Sequence, residues 1–134
     1  MRKQTVVVFA ALALAFTLSA VAVAHDNHPA AATTAAAATT GSWKGEIVDI
    51  ACYVPKGAKG AGHADCAKKC VKGGQPMGLL TGDDDMVLLV ADHANGKPFE
   101  AAQDLAGSKA EVTGKMETRG GVKIVTVTGV KAAS

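Results

Sequence analysis

Residues 99–130 read FEAAQDLAGSKAEVTGKMETRGGVKIVTVTGV, and the fold is decided by what repeats within them. From Lys109 to Met116 the chain alternates. Ala110, Val112, Gly114 and Met116 fall on one face and Glu111, Thr113 and Lys115 on the other, the period of a half-buried strand. Arg119-Gly120-Gly121 turns the chain, and Val122 to Val130 returns as a last strand. Ahead of this hairpin, Asn95-Gly96 marks a turn, Pro98 is placed to open a helix, and Phe99 to Leu105 carries it to Gly107.

Working toward the N-terminus, the apolar runs Met77–Leu80 and Met86–Ala91 flank Thr81-Gly82-Asp83-Asp84-Asp85, which predicts another hairpin. His63 to Lys72 predicts a short helix that Gly73-Gly74 stops in the left-handed conformation. Lys56 to Gly62 is a Gly/Lys-rich loop, and Trp43 to Val54 (WKGEIVDIACYV) predicts the first strand. The order is strand, helix, strand, strand, helix, strand, strand. It predicts an all-β fold with short helices: a five-stranded OB-like barrel with a helix inserted after the first strand and another between strands three and four. A fragment of a β-sandwich is the alternative architecture.

Within residues 98–130, a helix ending in Leu-x-Gly is followed by a Val-x-Gly strand and a hairpin. This half of the chain resembles the second half of small exported bacterial OB-fold proteins, and the resemblance implies the same barrel. It does not extend to the cysteine region.

The N-terminal end predicts export. Arg2 and Lys3 precede an apolar run from Thr5 to Val23, and Ala22-Val23-Ala24 is the small-x-small pattern of signal peptidase cleavage. A membrane anchor is the rival reading, but alanines dominate the run and no basic stop-transfer cluster follows it. Residues 1–24 are read as a signal peptide, 25–41 as a disordered Ala/Thr-rich tether and 42–132 as the barrel. The mature protein is expected in the periplasm or secreted, with no membrane span after cleavage.

The chain carries 14 Lys+Arg and 12 Asp+Glu; residues 1–24 contribute Arg2 and Lys3 and no acid, which leaves the rest balanced. Past residue 24 its only aromatic residues are Trp43, Tyr53 and Phe99. OB barrels that bind nucleic acid use aromatic platforms in a basic groove, so no nucleic-acid partner is expected. Lys56, Lys59, Lys68, Lys69 and Lys72 concentrate around the loop and helix, where they would suit a local anionic contact. No phosphate loop, carboxylate pair or Ser-His-Asp set is present, and the protein is not expected to be an enzyme.

The chemistry concentrates in Cys52, His63, Cys66 and Cys70, spaced C-x10-H-x2-C-x3-C. On a helix, His63, Cys66 and Cys70 stand at i, i+3 and i+7, one stripe. Cys52, at the end of the predicted first strand, would be folded back to them by the loop. Three thiolates and an imidazole suit zinc, and the thiolates with the Met77 thioether suit Cu(I). The Cys-x3-Cys pair with nearby His and Met is loosely similar to copper-site motifs of respiratory copper proteins, which have other folds. In an oxidising compartment the competing reading is a disulfide from Cys52 to Cys66 or Cys70, leaving an odd thiol. Thiol redox chemistry is a weaker rival, since the Cys-x2-Cys spacing is absent. The expected partners are a zinc or copper ion and another periplasmic protein.

Other residues draw plainer readings. His25-Asp26-Asn27-His28 would start the mature chain and reads as a flexible tail. Asp83-Asp84-Asp85 lack the spacing of a calcium loop and read as a solvated hairpin tip. Asp49 interrupts an apolar strand and, facing inward, would orient a ligand histidine.

Overall fold

The structure is a computed structural model in which residues 38–82 and 85–134 are described. The predicted signal peptide, nearly all of the predicted tether, the His25–His28 segment, Asp83 and Asp84 lie outside the described residues.

Five strands close into a barrel in the order β1-β2-β3-β5-β4. They are β1 (Thr39–Asp49), β2 (Met77–Leu80), β3 (Met86–Ala91), β4 (Lys109–Arg119) and β5 (Val122–Ala132). All neighbours run antiparallel except β3 and β5, which are parallel. This is the OB-like barrel that the pattern of the chain predicts. Closure comes from β1, which pairs β2 through Glu46–Asp49 and β4 through Thr39–Glu46. A register shift between Thr113 and Gly114 of β4 leaves Thr128 as an extra residue on β5, a bulge that kinks β5 along the barrel wall.

The alternation in β4 has the expected consequence. Ala110, Val112 and Gly114 are buried, with Met116 packed against the core. The interior is aliphatic: Ile47, Met77, Leu79, Val87, Leu89, Val112, Val125 and Val127 form one cluster with small residues from the helices. Trp43 and Phe99 pack at its margin.

Three short helices interrupt the strands: α1 (Ile50–Lys56), α2 (Ala64–Lys72) and α3 (Lys97–Gln103). α3 lies between β3 and β4, as predicted, and packs against β5 and β3 with Ala102 fully buried. α2 lies between β1 and β2 and places Ala67 and Val71 in the core. It ends at Lys72, with Gly74 in the left-handed region at φ 97°.

The first strand is shorter at its far end than the composition of residues 43–54 suggests, and it begins earlier, at Thr39. It stops at Asp49 because that side chain caps a helix: Oδ1 accepts a hydrogen bond from the Ala51 amide at 2.9 Å. An Asp that satisfies the first amides of a helix offers the backbone an alternative to the ladder. Residues 50–54 are therefore helical despite their β-branched composition. No helix among the described residues is long and apolar enough to cross a membrane.

Candidate metal centre

Register places Asp49. It lies directly opposite Met77, as Ile47 lies opposite Leu79, and directly opposed residues share a face of the sheet. Ile47, Met77 and Leu79 all belong to the core, so Asp49 sits on the inward face at the last position of β1, 0% exposed. Its Oδ1 is used by the α1 cap, while Oδ2 has no hydrogen-bond partner. A buried carboxylate oxygen without a donor carries a desolvation cost of about 1–3 kcal/mol, which marks the position for a positive partner.

Cys52 is the third residue of α1, not part of the end of the first strand as its sequence context suggests. The Asp49 cap turns the chain so that the thiol folds back over the carboxylate that caps it. Gly57 ends α1 in the left-handed conformation at φ 63°. The loop is then held by the Gly60 amide, which donates to the Glu46 carboxylate on β1. A single 3-10 turn, Ala61–His63, delivers His63 to the start of α2. The imidazole is half-buried, and its Nε2 has no hydrogen-bond partner.

Cys66 and Cys70 stand one helical turn apart on α2, each one residue before a core residue, Ala67 and Val71. One residue is about 100° of rotation, so anchoring Ala67 and Val71 in the barrel sets both thiols at its edge. The anchor is reinforced from α3. Gln103 Nε2 donates to the Val71 carbonyl at 3.0 Å, and Lys72 pairs with Asp104.

The result is two overlapping triads. The sulfurs of Cys52, Cys66 and Cys70 all lie within 4.8 Å of one another, and donor atoms of Asp49, Cys52 and His63 do likewise. Cys52 belongs to both. The structure thus gathers the predicted residues differently from a single quartet: the three cysteines converge, while His63 meets Cys52 in company with Asp49. Asp49 was legible as an inward acid, but only as a group that orients His63. Met77, the suggested thioether donor, is packed in the barrel core.

The local electrostatics hold protons on two of the sulfurs, those of Cys52 and Cys70. Burial, then the neighbouring Asp49 carboxylate and Cys66 thiol, push the Cys70 thiol up to about 11 from 9.0. Cys52 is also raised, chiefly by its interaction with Asp49, with burial adding and Lys56 opposing. Such crowding of acidic groups is relieved by a cation, which replaces thiol protons.

The remaining candidates have ordinary roles. Asp85 at the hairpin tip pairs with Lys123 at 2.9 Å and accepts from Thr81. A groove of about 450 Å³ is lined by Lys44, Glu46, Lys59 and Lys109 among others. Of the lysines clustered near the loop and helix, Lys59 alone reaches it.

No family model matches the chain, and no curated protein or solved structure matches it. The OB-like class is defined here by strand order and pairing.

Proposed function

We propose that this protein is an exported, non-catalytic metal-binding barrel that holds a zinc or copper ion through Cys52, Cys66 and Cys70, with His63 as the nitrogen donor. The role is to hold, sense or hand on the metal in the periplasm or outside the cell, before another protein. The observation that carries this reading is the convergence of three thiols within 4.8 Å beside a buried acid and an imidazole that each keep one polar atom, Asp49 Oδ2 and His63 Nε2, without a hydrogen-bond partner. Three thiolates at that spacing need only small side-chain movements to take three positions around a tetrahedral ion, and His63 approaches from the side of Cys52. The signal-like N-terminus and the likeness of residues 98–130 to small exported bacterial OB-fold proteins support the compartment.

The same proximity favours one other reading, a disulfide-stapled OB-fold module that binds a protein or small ligand. Elemental analysis with intact mass, on protein purified from the periplasm without chelator, separates them. Stoichiometric zinc or copper, reduced cysteines and loss of metal in Cys66→Ser support the metal centre. Absence of metal together with a disulfide in the mass overturns it in favour of the staple.

A further inference from the structure

The two triads have a consequence that a single ion does not meet. Zinc in a structural site takes four donors, and five converge here, in two sets that share only Cys52. Resting on the metal-binding reading, we propose that the centre is binuclear. One divalent ion of the zinc class is held by Cys52, Cys66 and Cys70, a second by Asp49, Cys52 and His63, and the Cys52 sulfur bridges them.

Three observations support this. Donors on one tetrahedral zinc lie roughly 3.8 Å apart for sulfur pairs and closer for nitrogen and oxygen. Both triads are already gathered within 4.8 Å and need to contract by about an ångström. Second, the two residues of the region that carry an unpartnered polar atom, Asp49 (Oδ2) and His63 (Nε2), belong to the same triad. An ion between them and Cys52 satisfies both at once. An ion confined to the three thiols satisfies neither.

Third, charge decides the number and kind of ions. Three thiolates and one carboxylate carry four negative charges when deprotonated. Asp49 is fully buried, and Cys52 and Cys70 are partly so. One divalent ion leaves the set strongly negative in a poorly solvated place, whereas two neutralise it. Cu(I) prefers thiolate and would fill the cysteine triad, leaving the Asp49 and His63 atoms unsatisfied. The carboxylate–imidazole–thiolate triad suits a borderline divalent ion. Each ion keeps a position for water or a passing ligand, which suits a centre that exchanges its metal.

The test is native mass spectrometry of the reduced full-length secreted protein titrated anaerobically with Zn²⁺, with Co²⁺ as a spectroscopic probe. The expected result is two Zn²⁺ per chain, falling to one in Asp49→Asn and in His63→Gln. Asn can keep the α1 cap, and His63→Gln leaves Asp49 untouched, so the pair guards against a folding defect in either. Two bound Co²⁺ are expected to couple magnetically through the shared sulfur, and the coupling to vanish in Cys52→Ser. A wild-type protein that saturates at one Zn²⁺ overturns the binuclear centre while leaving the metal-binding reading intact. Two ions in both variants, or two uncoupled Co²⁺, also overturn it by placing the second ion elsewhere. No bound metal at all overturns the underlying reading.

Discussion

At the scale of single residues, Asp49 organises the centre. One oxygen caps α1 and so sets the direction in which Cys52 leaves the strand. The other is buried without a donor; the carboxylate is the chief cause of the raised Cys52 thiol and adds to burial in raising that of Cys70. The sign of the resulting pH dependence follows from proton linkage. The folded protein holds the Cys70 proton more tightly than an unfolded chain does. In the metal-free protein that stabilisation is fully present below pH 9.0 and is lost as pH rises through about 11. Urea unfolding of the reduced, metal-free protein is expected to show a midpoint that declines across this alkaline interval. The decline should be smaller in Cys70→Ser; an identical decline would show that other groups cause it. The Cys66 sulfur is the accessible edge of the centre, since Cys66 is exposed and Cys70 only partly so. This is the side from which an incoming donor would approach.

At the scale of elements, the centre depends on how α2 is seated. α2 is short, and its place is set by Ala67 and Val71 in the core and by the turn after α3. That turn clasps β1: the Gly107 amide donates to the Ile47 carbonyl at 2.7 Å, and the Ile47 amide donates to the Ser108 carbonyl at 3.1 Å. Gly107 has φ 78°, and a Cβ there would lie 2.4 Å from the Cα of Ala64, the first residue of α2. Gly107→Ala therefore combines backbone strain with a clash against backbone. It is expected to cost roughly 1–3 kcal/mol from the strained conformation alone. It should also displace the start of α2, and with it His63, so metal affinity should fall along with the denaturation midpoint. A variant of unchanged stability and affinity would show that the turn does not seat the helix. The hairpin tip offers a contrast. The exposed Asp85–Lys123 pair tethers β3 to β5 from the surface, and such pairs contribute about 0–1 kcal/mol.

At the scale of the whole molecule, the barrel and the centre are separable in energy. The core is closed by ladder pairing and aliphatic side chains from all five strands, none of which are proposed ligands. Removing the metal is therefore expected to lower Tm without unfolding the protein. A ligand present at 100 times its Kd stabilises by about 2.7 kcal/mol, and a chelator should abolish a shift of that order. Calorimetry with and without chelator measures it, and collapse of the β-sheet circular dichroism on chelation would show that the metal is needed for folding.

The amino-acid sequence by itself determined the barrel, because the burial period of β4, the glycine turns and the Pro98 helix start are local signals that tertiary packing reinforced. It also determined that Cys52, Cys66 and Cys70 would be the chemical focus, since Cys66 and Cys70 are neighbours on any helix. Only the tertiary structure decided that residues 50–54 leave the sheet. Their β-branched character favours a strand, and the Asp49 cap, which needs Asp49 held at the end of β1, outweighs it. Only the tertiary structure likewise decided that His63 joins Asp49 across Cys52 rather than completing a quartet with all three cysteines. Helical spacing specifies which side chains share a stripe of α2. Where that stripe faces depends on the seating of α2 against β1 and α3, set by contacts between residues far apart in the chain.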